Sequence, residues 1–578
     1  MLTAIKEIGE FFRKKNSTSD LDTLVQNPKC THLITINFDK NFKLSNVTLE
    51  QCDNSKVKRY LYRNGNSPRG SDVTPASKLV EVRKTLNRIN YWFNSYDKSN
   101  LQNDEKRLLD NIKNELINNK NEIEKLIEQQ KNNLSRKDKV LLTIKIDDKY
   151  IGDYEVFKRF LLPKKTKEQN IQSYKGTCSV CGIDGKKVSG NINVFKFFTQ
   201  DKPGFITGGF NEEQSSRNFP VCYECKLSLE QGKKLLRDNR FQVCKGIYCY
   251  IIPKFMLGMD FVREEITNIL LYMPKRLSLK DTIKNRIFAD ENDILETLSN
   301  EKDILTLNFL FLKGTLYGPQ DSEKIILLIE DVFPSRLRKI FEAKDNVDRI
   351  FVNESFTLGN IRYFFEKSDK NKQEYDLDRY FLEIVNSVFK DKKIDLNFLI
   401  TFFMKKIRDE LINTEYPYNA IRNAFKNIVF FETLDLISFT KEVVKMSMFD
   451  SLFQKFGYAF ESPAKRGLFL LGALTEMLLR KQYNDKNSKP FWKQLKGLKM
   501  NERDIKGLLP KVQNKFQEYD AFDEGKRKIA SEIANYLLTA EDNWKLSVDE
   551  INFYFSCGMN KIDEIKQIIY PEKNRKRC

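Results

Sequence analysis

Histidine is almost absent: the chain has one, His32, in 578 residues. A single imidazole cannot build an HD-type or H-E-x-x-H metal centre, and any histidine catalysis would rest on His32 alone, in "CTHLITINF" at the start of an expected strand. No motif surrounds it, so it reads as a packed or capping residue. Long apolar runs are missing too. The longest candidate, "GLFLLGALTEMLL" from Gly467 to Leu479, falls short of the roughly 18 residues of a membrane span. Nucleotide sites are also lacking. "GNSPRGSD" from Gly65 has two glycines at Walker spacing but no following Lys-Ser/Thr. There is no Gly-Gly-Asp-Asp turn, and the scattered acids, among 80 Asp and Glu, read as solvated faces. We expect a non-enzymatic protein.

With 40% hydrophobic and 31% charged residues the chain reads as globular, with roughly two to four domains. At the N-terminus, Leu2, Ile5, Ile8 and Phe12 recur at helical spacing with charges between them, which describes an amphipathic helix and not a secretory signal. A cytoplasmic location with reduced thiols is therefore expected.

Ninety-nine Lys and Arg against 80 acids give a net charge of +19, which favours a polyanionic partner unless it reflects a general lysine bias. Two runs concentrate the excess. Lys56 to Arg88 holds Lys56, Lys58, Arg59, Arg63, Arg69, Lys78, Arg83, Lys84 and Arg88 against Asp72 and Glu81. Ser462 to Met500 holds Lys465, Arg466, Arg480, Lys481, Lys486, Lys489, Lys493, Lys496 and Lys499 against Glu476 and Asp485. Two basic surfaces are expected, although lysines on helix flanks commonly just solvate a face.

Four of the ten cysteines form C-x2-C-x40-C-x2-C: Cys178, Cys181, Cys222 and Cys225. Each pair can sit on a tight turn that offers two thiolates to one tetrahedral ion. Four soft ligands with no open position predict structural zinc; idle buried thiols are the plainer alternative. The spacer exceeds that of a simple ribbon, so an insertion folds between the knuckles. Val194 to Phe198 reads as a strand there, with turns at Pro203, Gly204, Gly208 and Gly209. Cys244 and Cys249 lie in one strand-like run, "FQVCKGIYCYII", on opposite faces, and Cys30, Cys52, Cys557 and Cys578 have no partner at ligand spacing. These six read as structural or incidental.

The pattern predicts an α+β multidomain chain: a mixed α/β domain with a helical arm (1–170), a four-cysteine zinc module (171–260), a middle α/β region (261–440) and a C-terminal helical bundle (441–578). In the arm, Leu108, Leu109, Ile112, Leu116, Ile123, Leu126 and Ile127 recur too briefly for a coiled coil, so a hairpin packed on its own domain is expected. "ILTLNFLFLKG" is an apolar run, and "PSRLRKIFE" starts a helix. In the bundle, Leu468, Leu471, Leu474, Leu478 and Leu479 define an apolar face. After Pro490, Phe491, Leu495 and Leu498 fall on one side of a helix and Lys493, Lys496 and Lys499 on its flank, while "SVDE" caps a helix that stops at Gly558.

Taken in order, "RYLYRNG...SDVTPASKLV", the knuckles around "FKFFTQDKPGFITGGF" ending in "NFPVCYECKLSLEQGK", "IEDVFPSRL", and "RGLFLLGALTEMLL...PFWKQLKGLKM" resemble the large subunit of type I-B CRISPR effector complexes (Cascade), over roughly residues 30 to 560. The resemblance implies a non-catalytic subunit of an RNA-guided antiviral assembly. Its partners would be a guide RNA, the Cascade backbone subunits, target double-stranded DNA and a separate helicase-nuclease. Its tasks would be to recognise the protospacer-adjacent motif, to aid R-loop formation and to recruit the nuclease. It also implies a small subunit made from an internal start, for which Met446 or Met448 would serve unless both are core methionines. On this reading Arg59, Arg63, Asn64, Asn66 and Arg69 form a DNA-contacting loop with Ser67. Lys465, Arg466, Arg480, Lys481, Lys493, Lys496 and Lys499 line a strand, with Phe491 or Trp492 available for stacking. A solvated hairpin turn is the alternative for the loop. A free-standing zinc-ribbon nucleic-acid-binding protein and a type III-like large subunit with enzymatic activity are the competing functions.

Overall fold

The computed structural model describes the chain apart from residues 16–18, 66–69, 97–100, 136, 162–172, 191–193, 196–217, 239–240, 245, 258–303, 314–323, 353–354, 370–371, 373, 415–416, 445 and 572–578. It is a mixed α+β chain with an N-terminal sheet, a four-cysteine cluster and a helical C-terminal region. Two compact units divide it. The first holds Met1–Arg240, Gly246–Tyr272 and Phe309–Ile326; the second holds Phe241–Lys245, Met273–Asn308 and Leu327–Cys578.

The first unit opens with helix α1 (Leu2–Lys15), followed by strands β1 (His32–Phe38), β2 (Leu44–Gln51), β3 (Ser77–Lys78), β4 (Val140–Ile146) and β5 (Lys149–Tyr150). The sheet order is β2-β1-β4-β3, with β5 beside β4. Strands β1 and β4 run parallel, Ile34 opposite Leu142 and Ile36 opposite Ile144. A parallel pair needs a long crossover. The residues between supply helices α2 (Val82–Ser95), α3 (Asn103–Asn118) and α4 (Lys120–Asn132). Leu109, Ile112, Leu116, Ile123 and Ile127 are fully buried in the core of this sheet. Lys43 pairs with Glu115 at 2.6 Å, and Gln130 Nε2 donates to the Val47 carbonyl of β2. The helical arm therefore packs on its own domain, as its short repeat implied.

His32 does begin a strand, and its Nδ1 lies 3.0 Å from Thr31 Oγ1 and 3.6 Å from Asp138 Oδ1. Cys30 and Cys52 are structural, as expected, but the expectation that all the thiols stay reduced fails for this pair. Cys30 and Cys52 are joined as a disulfide where β1 begins and β2 ends, because the antiparallel register of these strands brings two residues 22 apart in sequence within a Cα separation of 6.0 Å. Sequence spacing could not show this, since the pairing depends on a hairpin register. The run "FQVCKGIYCYII" also differs from expectation: it divides at Gly246, whose φ is +79°, into Phe241–Cys244 and Ile247–Leu257. Cys244 and Cys249 thus stand on separate strands.

The second unit is helical. It is built on α6 (Pro334–Ile350), α7 (Leu396–Thr414), α8 (Tyr418–Thr433), α9 (Pro463–Lys486), α10 (Glu524–Thr539) and α11 (Val548–Asn560). Pro334 sits in the first turn of α6, where its missing N–H costs no hydrogen bond. Ser547 and Glu550 form the expected reciprocal cap of α11. The helix does not stop at Gly558, however. Gly558 and Gly472 let α11 and α9 cross with their backbones almost touching: a Cβ on Gly558 would stand 1.7 Å from the Phe469 carbonyl oxygen, and one on Gly472 1.9 Å from that of Phe555. Helix α9 has more than one apolar face, since every residue from Gly467 to Leu479 is buried. Its aromatic surroundings come from both sides of residue 441: Phe425 of α8 meets Phe456, Phe460 and Phe469 at centroid separations of 4.7 to 6.3 Å.

Candidate metal centre and nucleic-acid interface

The cysteine module is a three-stranded antiparallel sheet and a helix: β6 (Ser173–Gly176), β7 (Lys186–Ser189), β8 (Val221–Cys222) and α5 (Tyr223–Asp238). Cys178 and Cys181 lie on the turn between β6 and β7, where Gly182 and Gly185 take φ of +70° and +72°, values that suit glycine. Cys222 ends β8 and Cys225 lies in the first turn of α5. The four sulfurs all lie within 4.8 Å of one another. Cys178, Cys222 and Cys225 are buried, and Cys181 is half-buried.

The local chemistry suits a cation. Burial alone would raise the Cys178 thiol, but backbone N–H groups of Cys222, Cys181 and Val180 lie against its sulfur and bring it down to about 7. The Cys222 N–H donates to that sulfur at 3.3 Å. Burial pushes Cys222 up, and burial together with the Cys222 sulfur pushes Cys225 up further. Neighbouring thiolates repel one another unless a positive ion lies between them, and these four close sulfurs, joined by no other metal-ligating side chain among the described residues, form a donor set that can hold a metal ion. Of the expected strand at Val194–Phe198, Val194 and Phe195 form a bend buried against the module, while residues 196–198 and the expected turns at Pro203, Gly204, Gly208 and Gly209 lie outside the described residues.

The first basic run is largely neutralised by acids that the fold brings to it. Lys58 pairs with Asp22, Arg63 with Glu230 and Arg88 with Asp72. Arg59 grips Asp153 through two nitrogens and lies over the Tyr150 ring. Arg63 turns inward to the Leu24 carbonyl at 2.9 Å, and Asn64 uses its backbone N–H to bond Gln26. Asn66, Ser67 and Arg69 lie outside the described residues. The base of this loop is firmly built. Asp72, 4% exposed, accepts from the Gly65 N–H at 2.9 Å, from Arg88 at 3.3 Å and from the Ser77 hydroxyl. Replacing it with alanine strips the half-buried Arg88 guanidinium of its carboxylate, leaving it the Gly70 carbonyl, and removes the acceptor of the half-buried Gly65 N–H, so Asp72→Ala is expected to cost about 1 to 3 kcal/mol. Urea unfolding of the whole chain measures it; an unmoved midpoint would show that Asp72 does not hold the loop.

The second run contains one clear correction. Lys465 is 6% exposed, its ammonium 5.0 Å from the centroids of both the Phe439 and Tyr554 rings, so it cannot reach a phosphate. Burial lowers its pKa. Arg466 bonds Asp450 and the Phe460 carbonyl, Arg480 bonds Glu476 and Asp563, and Lys481 bonds Asp485. Pro490–Leu495 is a 3-10 turn and not an α-helix, and Lys496, Gly497 and Leu498 follow with positive φ. The segment is still fixed. Asn552 bonds both the N–H and the carbonyl of Met500, Arg408 donates twice to the Leu498 carbonyl, and Gln482 accepts from the Phe491 N–H. Phe491, Leu495 and Leu498 point inward while Lys493, Lys496 and Lys499 are exposed, so the expected division of faces holds on a different backbone. Phe491 is buried and not available for stacking; Trp492 is half-buried. Lys496 pairs with Asp504, whereas among the described residues Lys493 and Lys499 have no carboxylate partner. Met446 and Met448 are both exposed, Met446 almost completely, so neither is a core methionine.

Among the described residues no helix is long and apolar enough to cross a membrane. Comparison with protein families gives a consistent match to CRISPR-associated proteins. The N-terminal domain of CRISPR-associated protein TM1802 matches residues 1–163, its central domain residues 175–332, and its C-terminal domain residues 356–573. The chain belongs to the TM1802 family. No curated protein matches it.

Proposed function

We propose that this chain is the large, non-catalytic subunit of a type I-B Cascade complex. In this reading it recognises the protospacer-adjacent motif in duplex DNA, assists R-loop formation and recruits the helicase-nuclease, with structural zinc on Cys178, Cys181, Cys222 and Cys225. The observation that carries the reading is the run of three TM1802 domain matches in chain order. Guide pairing reads the target sequence in such a complex, so the protein has only to grip backbones and read a short duplex element. The loop anchored by Asp72 supplies a rigid support for such a reader. The lysine lobe around Lys493, Lys496 and Lys499 supplies phosphate contacts, because its exposed cations stand on a backbone fixed by Asn552 and Arg408.

Two measurements test this. Gentle purification of the tagged chain should recover backbone subunits and a guide RNA of uniform repeat-spacer form. A lone chain, or one with heterogeneous RNA, would favour a free-standing nucleic-acid-binding protein. Reversing Lys493, Lys496 and Lys499 to glutamate in the assembled complex should weaken DNA binding and flatten the dependence of log K on log salt by about two to three. An unchanged slope would move the interface elsewhere.

A further inference from the structure

Helix α1 lies more than 160 residues before the first knuckle, yet it forms a wall of the cysteine module. Ala4, Ile5 and Ile8 are buried in the same apolar cluster as Cys178, Cys222 and Cys225. Helices α1 and α5 cross at Gly9 and Gly232 in close contact: a Cβ on Gly9 would stand 1.8 Å from the Ser228 carbonyl oxygen, and one on Gly232 2.2 Å from that of Ile5. This crossing sets the polar side of α1 against the end of α5 that carries Cys225. Between them is a cavity of about 370 Å³ lined by Lys6, Arg13 and Lys14 of α1, Lys186 of β7, Glu10, Glu224 and three of the cysteines, Cys181, Cys222 and Cys225.

The charges in this cavity do not cancel without the metal. Four cations face two carboxylates. Glu10 is shared between Lys6 and Lys14, and Arg13 reaches Glu224 at 3.7 Å and Asp20 outside the cavity. Lys186, half-buried, has no carboxylate partner among the described residues. With Asp20 counted against Arg13 the excess is one positive charge, and a divalent ion on four thiolates carries a formal charge of −2, opposite in sign to it. Partly buried charge of one sign is costly unless it is compensated nearby. Groups just outside a metal's ligands commonly supply that compensation.

We propose that Lys6 and Lys186 are outer partners of the metal centre, and that α1 docks fully on the module only when the four cysteines hold a divalent ion. The N-terminal helix is then a part of the metal site, and metal affinity and helix docking are linked reciprocally. The inference rests on the metal assignment proposed above and is independent of the proposed role in a Cascade complex.

The test uses the full chain loaded with zinc. Competition with a chromophoric chelator should show Lys6→Gln combined with Lys186→Gln holding zinc about 10- to 100-fold more weakly, and Lys6→Arg close to the native chain. Hydrogen exchange after chelation should show residues 2–15 losing protection while β1 and β4 keep theirs. By reciprocity, Gly9→Val, which pries α1 off without touching a charge, should weaken zinc binding as well. Zinc affinity of the double variant within twofold of native would overturn the proposal, as would unchanged protection of α1 after chelation. If Lys6→Gln does not fold, Lys186→Gln alone should still weaken zinc binding several-fold, and native affinity there would overturn it equally.

Discussion

Serine at both Cys178 and Cys222 is expected to abolish metal binding, about one ion per chain, and to unfold the cysteine module. Together the two substitutions remove one ligand from each knuckle, leaving two sulfurs that cannot close a tetrahedral site. In small structural sites metal binding contributes about 10 to 16 kcal/mol of apparent folding free energy, so its loss exceeds what the modest core of this module replaces. Elemental analysis reads the metal and thermal unfolding reads the stability. Unchanged metal content and melting would remove the metal assignment. The same site predicts a pH dependence with a definite sign. The ion needs thiolates, and only Cys178 is held near 7 while burial pushes Cys222 and Cys225 up. Protons therefore compete with metal as pH falls, and retention against a fixed chelator should drop steadily from about pH 8 to about pH 5. A flat profile would mean that the thiols are not the ligands.

Alanine at Gly558 is expected to destabilise the helical unit by about 3 kcal/mol or more, the opposite of what alanine does in an exposed helix. Propensity alone favours alanine over glycine by about 1 kcal/mol. Here the added carbon would lie 1.7 Å from the Phe469 carbonyl oxygen and 2.6 Å from its carbon, and both are backbone atoms inside a buried helix that cannot swing aside. Helices α9 and α11 would have to separate, opening the packing around Phe469 and Tyr554. Overpacking in a tight core commonly costs 1 to 3 kcal/mol, and a backbone obstacle lies at the upper end or beyond. Chemical unfolding of the whole chain measures it. A stabilised Gly558→Ala variant would mean that the two helices do not cross at this distance.

What the sequence made legible was local chemistry. The four cysteines could be grouped from spacing because each knuckle is four residues long and its ligand type is unambiguous. The Ser547 cap and the arm from Leu109 to Ile127 were readable because their signals repeat within a few residues. The illegible features come from distance along the chain. Arg63 meets Glu230, 167 residues away, so a run that counted as strongly basic is paired on folding. Lys465 looked like one more surface cation, but its helix is buried on most sides, and only the packing of Phe439 and Tyr554 reveals that. Gly558 read as a stop because a helix-ending glycine and a helix-crossing glycine are the same letter. The role of α1 beside the cysteines left a trace in its apolar spacing, which gave the face but not its partner.

The aromatic contact between Phe425 and the rings of Phe456, Phe460 and Phe469 bears on how this gene could be expressed. A shorter polypeptide initiated at Met446 would keep α9, α10 and α11 with their crossing glycines, but not α7 or α8. The rings that Phe425 covers would meet water, as would Phe553, which packs near Phe403 of α7. Such a product would emerge from the ribosome with an adhesive flank. Its yield and solubility in the cell would depend on how quickly an assembling complex offered it a substitute for the missing helices.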